Sequence, residues 1–174
     1  MASDAIKKAK ILVIDDDTAN LNLFETILRD DGYSNVLQIS DSREAVSLFS
    51  YHEPDLVMLD WRMPHDGGYE VLQALRYVIP AEAFTPIIVL TADTSPETRR
   101  QALTAGATDF LSKPFDLVEL TLRLETLLRL RFMYRALRDE KSLLEQRVKD
   151  RTRSLQRVIA ELRCSNLPLF SVNF

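Results

Sequence analysis

Five residues of this chain could act together on one phosphoryl group: Asp15, Asp16, Asp60, Thr91 and Lys113. Each closely follows a short apolar run. "ILVI" precedes Asp15, Asp16 and Asp17, "LVML" precedes Asp60, "IIVL" precedes Thr91, and "DFLS" precedes Lys113 and Pro114. Carboxylates gathered in one place repel, and their charge demands a cation. Hard oxygen donors without nearby His or Cys select Mg2+ (or Mn2+) over zinc. A carboxylate can serve as a phosphoryl acceptor and become an aspartyl phosphate. A metal ion, a hydroxyl and an ammonium facing it would neutralise charge on the transferring oxygens. Singly, each signal has an ordinary explanation. An Asp triplet before a helix caps it and favours its dipole. A Thr after a strand is a turn residue, and Lys-Pro is a loop. The four-part order at strand ends is what points to chemistry.

Such residues need rigid carriers. Lys10–Ile14, Leu56–Leu59 and Ile87–Leu90 read as buried strands, with weaker strands at Val36–Ser40 and Thr108–Ser112. Helical patterns fill the intervals: Asn20–Asp31, Ser42–His52, Tyr69–Val78 and Pro96–Ala105. Gly32 and Gly106 stand where helix ends favour positive φ. Ser42 and Ser95 stand at helix starts, and Pro96 suits the first helical position. Alternating strands and helices call for a parallel sheet covered on both faces. Ligands then bind beyond the carboxyl ends of the strands. The strands are apolar because helices cover them, and their ends are polar because that edge is open. Arg62 lies two residues past Asp60, and Asp93 two past Thr91. Both should flank the mouth of the site, where their opposite charges could pair.

"ILVIDDD", "LVMLDWRMP", "GGYEVLQALR", "IIVLTA" and "GATDFLSKPFD" together resemble the receiver domain of bacterial two-component response regulators, over about Lys10 to Leu128. The resemblance implies an α/β, flavodoxin-like, doubly wound five-stranded parallel sheet in the order 2-1-3-4-5. It implies that Asp60 is the phosphoacceptor, served by a cognate histidine kinase or phosphotransfer protein. Asp15 and Asp16 would be the acidic pair, Asp16 a direct ligand of Mg2+, and the Arg62 backbone carbonyl a further ligand. Thr91 would be the switch hydroxyl and Lys113 the phosphate-binding lysine, with a cis peptide before Pro114. Phe110 takes the aromatic switch position, a role compatible with plain core packing. Where the family often reads "MPxMDG", this chain has Met63-Pro64-His65-Asp66-Gly67-Gly68, and His65 reads as a solvent-facing loop residue.

After Pro114 the pattern changes. From Asp116 to about Arg163 there is neither Gly nor Pro, as one long helix requires. Apolar residues recur every three and four positions at Leu127, Leu130, Tyr134, Leu137, Leu144, Val148, Leu155, Val158 and Leu162, interrupted by Lys141 and Arg151. That is a coiled-coil signal, with a solvated amphipathic helix as the alternative, and it predicts a parallel homodimer. The expected organisation is an N-terminal extension 1–9, a receiver 10–128, a connector helix 129–163 and an irregular tail 164–174. From Arg131 to Arg163 ten basic residues accompany five acidic ones, while the whole chain has a formal charge of −4. The interspersed acids argue against a nucleic-acid-binding helix, which is the competing reading. "LEQRVKDRTRSL" resembles connectors that precede cyclic-di-GMP output domains. Neither a "GGDEF"-like sequence nor the His-Asp pair of the phosphodiesterases occurs. The expectation is a regulatory receiver with no separate catalytic output, natural in this form or a fragment missing its output domain. No apolar run is long enough to span a bilayer and no signal peptide is legible. With its single Cys164 the chain is expected in the cytoplasm.

Overall fold

The computed structural model describes residues 6–64, 67–80 and 82–165, with Cys164 and Ser165 described by backbone alone. His65, Asp66 and the tail from 166 lie outside the described residues. Strand β1 (Lys10–Ile14) leads to helix α1 (Thr18–Asp30) and β2 (Asn35–Ile39). A 3-10 turn (Ser42–Glu44) and α2 (Ala45–His52) lead to β3 (Leu56–Asp60) and α3 (Gly68–Val78). Then come β4 (Ile87–Thr91), α4 (Pro96–Thr104), β5 (Asp109–Ser112) and α5 (Leu117–Ser165). The five strands are parallel in the order β2-β1-β3-β4-β5, the expected flavodoxin-like sheet.

The central strands β3 and β4 are buried at every residue. Because side chains alternate across a strand, each strand serves two cores. Ile11, Val13, Leu56, Met58, Ile88 and Leu90 pack with α1 and the first part of α5. Leu12, Ile14, Val57, Leu59, Ile87 and Val89 pack with α2, α3 and Ala102 of α4. Ile6 and Ala9 are buried in the first cluster, so part of the expected N-terminal extension belongs to the core. One compact unit runs to Arg135, and Ala136 opens a second.

Caps set the helix ends. Asp17 accepts the Ala19 N–H at 2.8 Å, so α1 starts at Thr18 and not at Asn20. Ser95 accepts the Thr98 N–H, with Pro96 in the first turn, as read from sequence. Asp41, not Ser42, caps the turn that opens the second helical region. Gly32 (φ 90) and Gly106 (φ 107) occupy the left-handed region at the ends of α1 and α4.

Gly68 opens α3 directly beneath the acidic strand end. A Cβ there would lie 2.5 Å from the Asp60 carbonyl oxygen and 2.7 Å from the Trp61 Cα, with no flexible side chain to give way. At Gly67 a Cβ would meet only the end of Glu70, at 3.0 Å. Gly68→Ala should therefore destabilise the chain by about 1–3 kcal/mol through overpacking. Gly67→Ala should cost at most about 1 kcal/mol, the scale of a changed cap. Urea unfolding of both variants measures the difference, and equal losses would refute this account of Gly68.

Candidate functional site

The fold brings the chemistry-bearing residues to one edge of the sheet. Asp15 follows β1, Asp60 ends β3, Thr91 ends β4 and Lys113 follows β5. Asp15, Asp60 and Thr91 are buried, while Asp16 is exposed. Carboxylate oxygens of Asp15, Asp16 and Asp60 lie within 4.8 Å of one another. Lys113 Nζ bridges two of them, 2.6 Å from Asp60 Oδ1 and 3.1 Å from Asp15 Oδ2. The other Asp60 oxygen accepts the Arg62 backbone N–H at 3.0 Å. The Lys113–Pro114 peptide is cis, and the Lys113 N–H donates to the Thr91 carbonyl, tying β5 to β4 beside the site.

The electrostatics are unbalanced. Burial raises the Asp60 carboxyl above its usual range, against the opposing pull of Lys113. Burial also lowers the Lys113 ammonium, but its bonds to Asp60 and Asp15 together outweigh this and hold it raised. One ammonium faces three carboxylates. The donors are all oxygens, and no His or Cys joins the described cluster. Such a set fits a hard divalent cation such as Mg2+.

Thr91 and Phe110 are less directly engaged. Thr91 Oγ1 accepts the Asp93 N–H at 3.1 Å, so its oxygen is turned to its own loop. Phe110 is half-buried against the cluster under α2–α4. At the mouth, Arg62 Nη2 meets Asp93 Oδ2 at 3.3 Å. Asp93 also accepts the Ser95 N–H and the Thr98 hydroxyl, which hold its carboxyl at about 2, with the Ser95 backbone bond the main cause.

Sequence reasoning missed Asn20, whose side-chain amide donates to both Asp15 oxygens at 3.1 Å. It lies on the first turn of α1, and helix phase from the Asp17 cap would have found it. Ser95 was legible as a helix start, but neither it nor Thr98 as a socket for Asp93.

Along α5 the seam residues fall into two groups. Leu127 is buried in the receiver core and is not offered to a partner. The residue is part of the stripe that faces the sheet, and the same period continues past it. Leu130, Tyr134, Leu137, Leu144, Val148, Leu155, Val158 and Leu162 are exposed. No described helix is long and apolar enough to cross a membrane.

Comparisons with known proteins agree with the geometry. A family model described as "Response regulator receiver domain" matches residues 11–125. "Probable transcriptional regulator ycf27" of Porphyridium aerugineum is 42% identical over 124 residues, covering 71% of this chain and 50% of the relative. "Response regulator MprA" of Mycolicibacterium vanbaalenii is 44% identical over 120 residues, covering 69% and 50%. The chain thus spans about half the length of these curated relatives. Among solved structures, the Vibrio cholerae chemotaxis protein CheY4 superposes with a TM-score of 0.64 at 34% identity, covering 69% of this chain and 98% of that one. With its strand order, its edge of carboxylates and these matches, the chain belongs to the response regulator receiver family.

Proposed function

We propose that this receiver is a phosphorylation switch in which Asp60 accepts a phosphoryl group from a histidine kinase or phosphotransfer protein. The observation that supports it best is the Lys113 ammonium held between Asp60 and Asp15 at the open edge of the sheet. The side chains of Asp15, Asp16 and Asp60 and the backbone carbonyl of Arg62 would hold Mg2+ (or Mn2+). When bound, the ion supplies Lewis-acid neutralisation of the phosphoryl oxygens.

The remaining work falls to the chain. An Asp60 oxygen attacks phosphorus while the phosphorus–nitrogen bond of the donor phosphohistidine breaks. The imidazole departs with the bonding pair. Lys113, already bonded to Asp60, offers its ammonium to the phosphoryl oxygens. The Arg62 N–H orients the second Asp60 oxygen. Thr91 then turns its hydroxyl toward the phosphoryl group and gives up the bond from Asp93 N–H. Phe110 fills the space it leaves. Asp93 is bonded to Ser95 and Thr98, so the front of α4 follows. This is a bistable element biased by added charge.

From α4 and α5 the change passes to a dimer or to a downstream output. We assign 129–163 to a coiled-coil connector of the kind that precedes cyclic-di-GMP output domains, and a second copy as its partner. In the parallel register Glu140 would face Glu145 of the partner, and Arg147 only Thr152. Charge therefore does little to specify the pairing, and the apolar seam drives it.

With Mg2+ and acetyl phosphate, intact-protein mass spectrometry should show one added phosphoryl group. Asp60→Asn should show none, and Asp16→Ala should abolish labelling through loss of the ion. Equal labelling of Asp60→Asn would remove it as acceptor.

The Arg62–Asp93 bridge lies where it could obstruct water attacking in line with the departing oxygen. Being solvated, it should contribute little to stability, so its effect is read in the rate of phosphoryl loss. Arg62→Ala and Asp93→Ala should each speed loss of the phosphoryl group by up to roughly fivefold. The double variant should be no faster than the faster single one. Additive effects, or slower decay in either single variant, would reject the gate.

Sedimentation should show self-association at concentrations on the order of tens of micromolar. Leu144→Arg should weaken it at least tenfold, an estimate from burying one unpaired charge. A monomer throughout that range would reject the seam as a dimer interface.

A further inference from the structure

The receiver part of α5 ends against the sheet edge opposite the acidic site. Asp55 immediately precedes β3 and is buried. Its Oδ2 accepts the Lys10 backbone N–H at 3.1 Å, where β1 begins. Its Oδ1 faces Arg131 Nε at 3.7 Å and Arg135 Nη1 at 3.8 Å. Arg131 also donates Nη1 to the Phe84 carbonyl at 2.8 Å. The Phe84 ring stacks on Tyr134, with centroids 4.8 Å apart and planes at 27°.

Arg131, Tyr134 and Arg135 are spaced i, i+3 and i+4, so one face of one helical turn makes all these contacts. Tyr134 is also a seam position, and Leu130 precedes it by four residues. An a-position side chain must enter a hole formed by four residues of the facing helix. A ring stacked on Phe84 cannot fill that hole at the same time. The apolar seam residues from Leu137 to Leu162 are exposed.

We infer that Asp55, Phe84, Arg131, Tyr134 and Arg135 form an autoinhibitory latch. It withholds the Tyr134 layer of the seam from a second copy of the chain. This rests on the self-association reading above and adds its regulation. Latched chains pair only through the other layers. Released chains pair through one more. Both copies must release, so the fraction of unlatched chains enters the dimer affinity twice.

Sedimentation equilibrium on the full chain tests this with two independent lesions. Asp55→Asn keeps an acceptor for Lys10 and removes the charge that faces both guanidiniums. Phe84→Ala removes the stack and leaves the charges. Each should tighten self-association by roughly tenfold, from an aromatic contact or a partly screened ion pair counted in both copies. Adding Leu144→Arg to either should abolish the gain. If the parent chain associates through the seam but neither lesion tightens it, the latch is wrong and the seam stands. If no variant associates, the seam itself fails and the latch with it. A gain that survives Leu144→Arg would place the new contact elsewhere and overturn the latch.

Discussion

Everything at the open edge depends on one ammonium placed between carboxylates. Lys113 follows β5, while Asp60 ends β3, and β4 lies between them in the sheet. Only a long side chain can reach across that strand, and a lysine brings a compact charge on a flexible stem. It reaches Asp60 and Asp15 together. One positive charge cannot balance three carboxylates, two of them buried. The site is therefore held together in a state that favours any added cation, and with it any anion that the cation and the lysine can share. Thr91 stands at the end of the strand that Lys113 crosses, next to the strand that ends in Asp60.

Much of this was legible in the sequence because burial on both faces leaves a crude signature. "ILVI", "LVML" and "IIVL" do not alternate, since both sides of each strand are core. A polar residue ending such a run must lie at an edge, so the positions of Asp15, Asp60, Thr91 and Lys113 follow from the sequence pattern. What was not legible depends on local turns or on distant partners. The Thr91 oxygen is taken by Asp93 N–H through a two-residue turn that no apolar pattern encodes. Asn20 reaches Asp15 only because the Asp17 cap fixes the phase of α1. Leu127 shares its period with the exposed seam but lies in the core. A helical repeat shows which residues share a face and not what covers that face. The approach of Arg131 to Asp55 joins residues far apart in the chain, and nothing in either neighbourhood announces it.

The two ends of α4 are held by different forces, and that difference fits a switch. At its rear, Arg76 donates to the Gly106 carbonyl at 2.8 Å and the Thr85 carbonyl at 3.1 Å. It also donates to the Thr108 hydroxyl at 3.2 Å. A Cβ on Gly106 would stand 3.1 Å from that guanidinium stem, so the glycine admits the arginine as well as the positive φ. Burial lowers the Arg76 pKa, yet its bonds here go to neutral oxygens and do not weaken when a charge changes at Asp60. At its front, α4 hangs on Asp93, Ser95 and Thr98, and Asp93 is joined to Thr91 by one backbone bond. In the proposed switch, charge arriving at the site would act on the front and leave the rear in place.

Helix α5 meets a different constraint, because one apolar period runs from a covered stretch into an exposed one. Up to Leu128 its apolar face is occupied by the sheet and α1. Beyond Ala136 that face is exposed. Between them, over a single turn, aromatic and charged contacts join the helix to residues 55 and 84. Those two residues precede β3 and β4, the strands that end in Asp60 and Thr91. The acidic site and the hold on the outgoing helix are thus built on opposite ends of the same two fully buried strands. Neither strand can slide without breaking ladder bonds on both sides, each costly to leave unmade in the interior. The strands therefore act as fixed struts, and change is confined to the loops at their two ends.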